Sequence, residues 1–83
     1  MQLTVRYFAS IREAIGQGSE TLQTDARTSG ALRDELIARG GAYERTLARG
    51  KAVRIAVDQV MRDDAAPLEE GCEVAFFPPV TGG

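Results

Sequence analysis

The sequence predicts an α+β fold in which one main helix covers one face of a small mixed sheet of four to five strands. Three observations lead to this fold class. Short segments of alternating polarity occur near both ends of the chain, a helix-period segment with a clear stop lies between them, and no apolar run is long enough to span a membrane. With 83 residues, of which 43% are hydrophobic, the chain has the size of one domain with a modest core.

The first part of the chain predicts a strand, a short helix and a weaker strand. Residues 2–8 alternate in polarity, as in a half-buried strand. One face of this strand carries Leu3, Val5 and Tyr7. Ser10 and Glu13 have the spacing of a capping box, so we expect a short helix to open at Ser10 and to stop at Gly16. Residues 19–24 favour a second strand.

The middle of the chain predicts the main helix, from about Ser29 to Arg39. Thr28 or Ser29 is the expected cap, and Gly40-Gly41 is the expected stop. The apolar side chains that recur one turn apart are Leu32 and Leu36. Residues 42–48 favour one further helical turn.

The last third of the chain predicts the remaining strands. Residues 53–57 and 73–77 alternate in polarity, and Asp58-Gln59 is a candidate tight turn into Val60-Met61-Arg62. Pro78-Pro79 ends the last strand because proline cannot donate to a sheet ladder. A first hairpin, a helical crossover and a last strand that returns to the middle predict a β-grasp sheet.

The C-terminus is the candidate functional segment. We expect residues 1–77 to form the domain and residues 78–83 to form an extended, flexible tail, since two prolines favour extended chain. Six extended residues reach roughly 20 Å. Gly82 and Gly83 lack a Cβ, so the tail could enter a narrow channel of a partner, although a merely frayed end is the alternative.

The composition excludes several other chemistries. The chain has no histidine and one cysteine, which removes the usual general base, the commonest metal ligand and any internal disulfide. We therefore expect no metal site and no bound cofactor, and we interpret Cys72 as a structural residue and Lys51 as a solvated loop charge. The net charge is −2 and the cations are scattered, which argues against nucleic acid as a partner. A cytoplasmic protein without a membrane partner is the expectation.

The Gly83 carboxylate offers a chemistry that needs no side-chain base. A carboxylate is a poor electrophile, but conversion to an acyl-adenylate supplies a leaving group, and sulfide or a persulfide can then displace AMP to leave a thiocarboxylate. Held inside a partner, that sulfur reacts at high effective concentration. The sequence therefore predicts a sulfur carrier that is not an enzyme by itself.

A docking surface beside the tail follows from strand parity. Phe8 lies opposite the apolar face of the first strand, and Phe77 lies opposite Val74 and Phe76 on the last strand. An exposed aromatic pair would bind a partner, whereas the alternative is that Phe8 packs under the short helix. Arg12 lies close to Phe8 on the short helix, which makes it a candidate partner contact too, whereas the alternative is a solvated surface charge.

Two segments resemble a known family. Residues 73–83, with the sequence Glu-Val-Ala-Phe-Phe-Pro-Pro-Val-Thr-Gly-Gly, and residues 5–13 resemble the C-terminus and the first strand and helix of the molybdopterin synthase small subunit (the MoaD family). Residues 28–32 and 56–59 also fit in position. The resemblance spans the chain and implies a ubiquitin-like β-grasp fold.

The resemblance also implies a reaction cycle and partners. An ATP-dependent adenylyltransferase of the ubiquitin-activating type would adenylate Gly83, and a persulfide donor system would make the thiocarboxylate. The tail would enter the large synthase subunit, in a two-plus-two heterotetramer, and donate sulfur to cyclic pyranopterin monophosphate to form the molybdopterin dithiolene. The partner-binding residues that the family implies are Phe8, Arg12, Met61, Phe77, Pro78, Pro79, Val80 and Thr81, with Gly82 and Gly83 as the reactive end.

Two positions depart from the family pattern, and two alternative functions stay open. Asp58 stands where asparagine is usual, which predicts a slightly strained turn, and Cys72 stands where aspartate is common. A sulfur carrier for thiamine or tRNA thiolation is one alternative. The other is a ubiquitin-like modifier joined through Gly83 to lysines of target proteins.

Overall fold

The computed structural model describes residues 1–79 as five strands and three helices. The strands are β1 (Gln2–Tyr7), β2 (Ser19–Gln23), β3 (Arg54–Val57), β4 (Val60–Arg62) and β5 (Glu73–Phe77). The helices are α1 (Ala9–Ile15), α2 (Ser29–Ile37) and α3 (Gly41–Leu47). Within the described part of the chain, no helix is long and apolar enough to cross a membrane.

The sheet has the order β2-β1-β5-β3-β4, with the last strand in the centre. β1 and β5 run parallel, with Tyr7 beside Phe76, and the other neighbours are antiparallel. A central parallel pair formed by the first and last strands is the β-grasp arrangement. The predicted mixed sheet with one main helix and short helical segments is therefore confirmed.

The core lies between one face of the sheet and the helices. Fully buried side chains come from alternate positions of the central strands and from one side of α2. The largest of them are Tyr7, Phe76, Leu3, Leu32, Leu36, Leu47, Val5 and Val74. Cys72 is also buried in this cluster, as its interpretation as a structural residue requires.

The main helix begins where the sequence places its cap. The Thr28 hydroxyl oxygen accepts a hydrogen bond from the amide of Ala31 at 3.2 Å, which satisfies one of the free amides of the first turn. The helix ends at Ile37, two residues before the predicted Arg39. The further helical turn is a separate helix, α3, which begins at Gly41.

The predicted capping box at Ser10 is wrong. Phe8 is the N-cap of α1, no side chain caps this helix, and the carbonyl of Phe8 accepts from the amides of Ile11 and Arg12. Helical residues therefore start at Ala9, which has a φ of +50°. The helix follows directly from the end of β1, so the chain turns before Ser10 can serve as a cap.

The predicted turn between β3 and β4 is confirmed. Asp58 and Gln59 have φ values of +49° and +69°, which is the pattern of a type I′ hairpin turn. The Asp58 carboxylate accepts a hydrogen bond from the amide of Glu73 at 3.0 Å. This contact connects the turn to the start of β5. It helps to hold a backbone conformation with positive φ, which residues other than Gly, Asn and Asp rarely adopt.

A polar cluster around Glu20 fixes the hairpin of β1 and β2 to the helices. Its carboxylate accepts hydrogen bonds from the hydroxyls of Tyr7 at 2.7 Å and Tyr43 at 3.1 Å, and from Arg39 at 3.0 Å. Partial burial alone would raise the pKa of Glu20, but these donors outweigh it and hold the pKa below its ordinary value. Burial and the adjacent carboxylate raise the pKa of Tyr7, which stays a neutral donor.

Candidate functional site

The face of the sheet opposite the helices forms the candidate site, and we call it the open face. The strand register aligns Arg6, Ala75, Ala56 and Met61 in one row across β1, β5, β3 and β4. Because side chains alternate along a strand, Phe8 and Phe77 belong to the same face, one step further toward the ends of β1 and β5. The open face therefore carries apolar side chains from β3, β4 and β5, together with Phe8, the residue after β1.

Phe8 and Phe77 form a stacked pair at the end of the open face. Their ring centroids lie 4.6 Å apart, with an angle of 11° between the planes. Both side chains are half-buried, so each ring keeps a solvent-accessible surface. The prediction that both phenylalanines lie opposite the core is confirmed, and Phe8 contacts Phe77 instead of packing only beneath α1.

Arg6 adds a cation to this aromatic pair. Its guanidinium carbon lies 5.1 Å from the centroid of the Phe8 ring, within the range of a cation–π contact. Its Nη1 also lies 3.9 Å from a carboxylate oxygen of Glu73. Arg6 was not among the predicted site residues, although the strand parity that places Phe8 on the open face places Arg6 there as well.

Two alanines make the middle of the open face shallow. Ala56 and Ala75 are 4% exposed although they lie outside the main core, because the taller side chains around them shield them. Met61 stands at the far side of the row, with 53% of its surface exposed. The result is a low apolar floor between the phenylalanine pair and Met61, which suits an apolar knob of a partner protein.

Arg12 lies to one side of this surface. It is exposed on α1, and its side chain passes so close to Gly18 that a Cβ there would lie 3.1 Å from Nε. Arg12 therefore packs along the connection between α1 and β2, and Arg6 is the cation over Phe8.

The tail leaves the domain beside the stacked pair. Pro78 is half-buried and Pro79 is exposed, directly after Phe77 at the end of β5. Both prolines line a groove of about 320 Å³. The groove is also lined by Ser10, Ile11, Arg45, Thr46, Lys51, Ala52 and Val53. The predictions for Val80, Thr81, Gly82 and Gly83 lie outside the described residues.

Comparison with known proteins supplies the family. The model of the ThiS family matches residues 5–83. The chain belongs to the ThiS family. The match begins in β1 and includes the tail. The similarity of this ThiS-family chain to its family therefore extends over both the domain and the residues after it.

Relatives of this ThiS-family chain have a more specific name. It is 38% identical to the molybdopterin synthase sulfur carrier subunit of Haemophilus influenzae over 81 residues, which cover 98% of this chain and 99% of the relative. It is 40% identical to the protein of the same name from Escherichia coli, with the same coverage. The resemblance to the molybdopterin synthase small subunit is confirmed.

A solved structure shares the fold. The matching chain comes from the protein–protein complex of subunits 1 and 2 of the molybdopterin-converting factor of Helicobacter pylori. It is 27% identical to this ThiS-family chain. The TM-score is 0.69, and each chain is covered completely. This similarity supports the assignment of the ubiquitin-like β-grasp fold.

The described residues of this ThiS-family chain form a surface suited to binding a partner protein. Phe8, Phe77 and Met61 lie on one face, and the tail starts at the edge of that face. A partner that covers the open face would therefore meet the start of the tail at Pro78, directly after Phe77.

Proposed function

We propose that this chain is the sulfur-carrier subunit of molybdopterin synthase and that the carboxylate of Gly83 carries the sulfur as a thiocarboxylate. The observation that carries the proposal is the near full-length similarity to two proteins of that name, at 38% and 40% identity. In a carrier of this kind the chain does not act as an enzyme by itself, and it binds no cofactor of its own.

Two reactions that other proteins carry out convert the carboxylate of the carrier to a thiocarboxylate. An adenylyltransferase of the ubiquitin-activating type uses ATP to convert the Gly83 carboxylate to an acyl-adenylate, with release of pyrophosphate. Sulfide, or a persulfide whose sulfur–sulfur bond is afterwards reduced by a thiol, attacks the acyl carbon, and AMP leaves. Gly83 then ends in a thiocarboxylate, whose sulfur is a soft nucleophile on a short tether.

The partner that uses this sulfur is the large subunit of molybdopterin synthase. A complex of subunits 1 and 2 of the related Helicobacter pylori factor supports this choice. The tail, from Pro78 through Val80, Thr81 and Gly82, enters the large subunit, and two such transfers convert cyclic pyranopterin monophosphate to the dithiolene of molybdopterin. We propose a two-plus-two heterotetramer in the cytoplasm as the working assembly.

The open face serves as the docking surface in this proposal. Phe8, Phe77 and Met61 contact the large subunit, and Arg12 contacts its rim. The stacked pair is well suited to this role because two rings fixed against each other lose little side-chain freedom on binding. The domain of residues 1–77 thus positions the tail of residues 78–83.

Reconstituted sulfur transfer tests the proposal. The charged carrier, mixed with the large subunit and cyclic pyranopterin monophosphate, should form molybdopterin. Deletion of Gly83, or addition of one residue after it, should abolish product formation, because the sulfur is lost or displaced, while the thermal unfolding midpoint stays unchanged. Product formation by the deleted chain would contradict the proposal, and a large fall in the midpoint would mean that the tail is structural.

A further inference from the structure

The charged side chains of the domain are distributed unevenly along the direction of β1 and β5. These parallel strands begin at Gln2 and Glu73, which define the far end of the domain, and they finish beside Phe8 and Phe77, which define the tail end. The net charge of −2 hides this asymmetry, since it sums over both ends.

The exposed cations at the tail end include Arg6 and Arg12, and three more lie on the side of β3 and of the groove beside the prolines. We call these three the basic collar: Arg45, Lys51 and Arg54. Arg54 is the register partner of Phe77, so it flanks the stacked pair on the side away from Arg6. Arg45 and Lys51 line the groove that Pro78 and Pro79 also line. The collar therefore surrounds the point where the tail leaves the domain.

The basic collar forms no ion pair within residues 1–79, although Arg54 lines a cavity together with Asp63 and Asp64. By contrast, Arg49 is paired with Asp34 and Asp64, and Arg39 with Glu20. Among the described residues that line the groove beside the prolines, none carries a carboxylate. The acids on the neighbouring helices, Glu13 and Glu44, do not line it and form no ion pair with the collar.

Carboxylates gather at the far end. Glu70 accepts a hydrogen bond from the amide of Gln2 at 2.9 Å, and Asp58 accepts one from the amide of Glu73. Asp25 and Glu35 line a shallow pocket together with Met1. The N-terminal ammonium and Arg27 offset these acids only in part. The domain therefore has a dipole whose positive end lies at the root of the tail.

We propose that the basic collar docks on an acidic surface that surrounds the tail-accepting pocket of the large synthase subunit, and that the dipole orients the carrier tail first. This inference rests on the proposed function. Opposite charges on two proteins accelerate encounter and select orientation, with an effect that decays within about 8 Å at physiological ionic strength. Arg45, Lys51 and Arg54 act on the rate of docking, while the apolar open face determines how long the complex lasts.

Association kinetics test this proposal, with the full-length carrier and the large subunit of the same organism. We expect the wild-type association rate constant to fall with rising salt. Lys51→Glu and Arg54→Glu should each lower it about threefold to tenfold at low salt and flatten its salt dependence. Lys51→Gln should give an intermediate rate, because it removes one charge without adding the opposite one.

Arg27→Glu is the matched control. It makes the same charge change at an exposed cation, but at the far end, and it should leave the association rate unchanged or slightly faster. Thermal unfolding confirms that each variant is folded. Equal rates for Lys51→Glu, Arg54→Glu and Arg27→Glu, or a wild-type rate that does not depend on salt, would overturn the collar and leave the proposed function intact. No binding of the wild type at any salt concentration would instead overturn the proposed function and the collar with it.

Discussion

Phe77 holds the central place among single residues of the open face. Its ring stacks on Phe8, and its backbone is followed directly by Pro78, so one residue belongs to both the open face and the root of the tail. Aromatic side chains that are fixed before binding contribute strongly to interfaces because they bury a large area with little loss of freedom.

Replacement of Phe77 by aspartate should therefore separate binding from folding. A charge in the centre of an apolar interface is costly, so we expect Phe77→Asp to weaken binding to the large subunit by about 2 kcal/mol or more, or about 30-fold. Titration calorimetry measures this change. Met61→Asp, on the same face, should act in the same direction.

Val60→Asp provides the control for this measurement. Val60 is 58% exposed and pairs with Val57, so it lies on the other face of β4 from Met61. We expect the affinity of Val60→Asp to equal that of the wild type. Undiminished binding by Phe77→Asp, or an equal loss in Val60→Asp, would show that the open face does not dock.

Some residues of the open face could be predicted from the sequence, and others could not, for a physical reason. The parity of a strand is local, so it placed Phe8 and Phe77 on the same face correctly. The contact of Arg6 with the Phe8 ring depends on a side-chain conformation, which parity does not specify. The cluster of Glu20 with Tyr43 and Arg39 joins residues far apart in sequence, and no local pattern predicts such a meeting.

Among the elements, α2 depends on an unusually close approach to the segment before β5. The amide of Gly30 donates to the carbonyl of Asp64 at 2.9 Å, and a Cβ at Gly30 would lie 2.8 Å from the Asp64 Cβ and 2.9 Å from that carbonyl oxygen. Arg49 closes the contact by binding Asp34, Asp64 and the carbonyl of Gly30. A glycine in the first turn of a helix is thus explained by packing.

Gly30→Ala should lower stability although alanine is the better helix former. The gain in helix propensity is about 1 kcal/mol, whereas forcing backbone and side chain apart typically costs about 1–3 kcal/mol. A net loss of about 1 kcal/mol would lower the unfolding midpoint by about 4–8 °C in a domain of this size. Thermal unfolding followed by circular dichroism measures the shift.

Gly50→Ala is the comparison that isolates the close approach. A Cβ at Gly50 would meet no atom within 4 Å, so we expect its midpoint to equal or exceed that of the wild type. If Gly30→Ala were as stable as Gly50→Ala, the contact with Asp64 would not constrain α2.

The boundaries of elements were predicted less well than their order. Thr28 was correctly named as one of two caps for α2, because a threonine hydroxyl at that position satisfies a free amide. At α1 the same kind of capping pattern predicted Ser10 as the cap. The N-cap is Phe8 instead, because the helix follows β1 directly. Tertiary geometry overrides a local capping signal when a helix comes after a strand without a loop.

At the scale of the whole molecule, the β-grasp order explains why the proposed docking surface lies beside Pro78, where the tail begins. The first and last strands lie side by side and parallel in the centre of the sheet, so the ends of both strands meet at one edge. The sequence predicted this order from the succession of hairpin, helix and returning strand. The sequence also predicted the tail, from two prolines and two glycines. Pro78 and Pro79 are described by the structure, and Gly82 and Gly83 lie outside the described residues.

We propose that the reactive atom of this protein is a sulfur attached at Gly83, and measurement of the intact mass tests this assignment. The purified carrier is incubated with the adenylyltransferase, ATP and a sulfur source, with each of the three omitted in turn as a control. We expect a mass increase of one oxygen-to-sulfur exchange, located by fragmentation to Gly83 and absent whenever one component is omitted. An unchanged mass, or the addition of a whole sulfur at Cys72 instead of an exchange at Gly83, would contradict it.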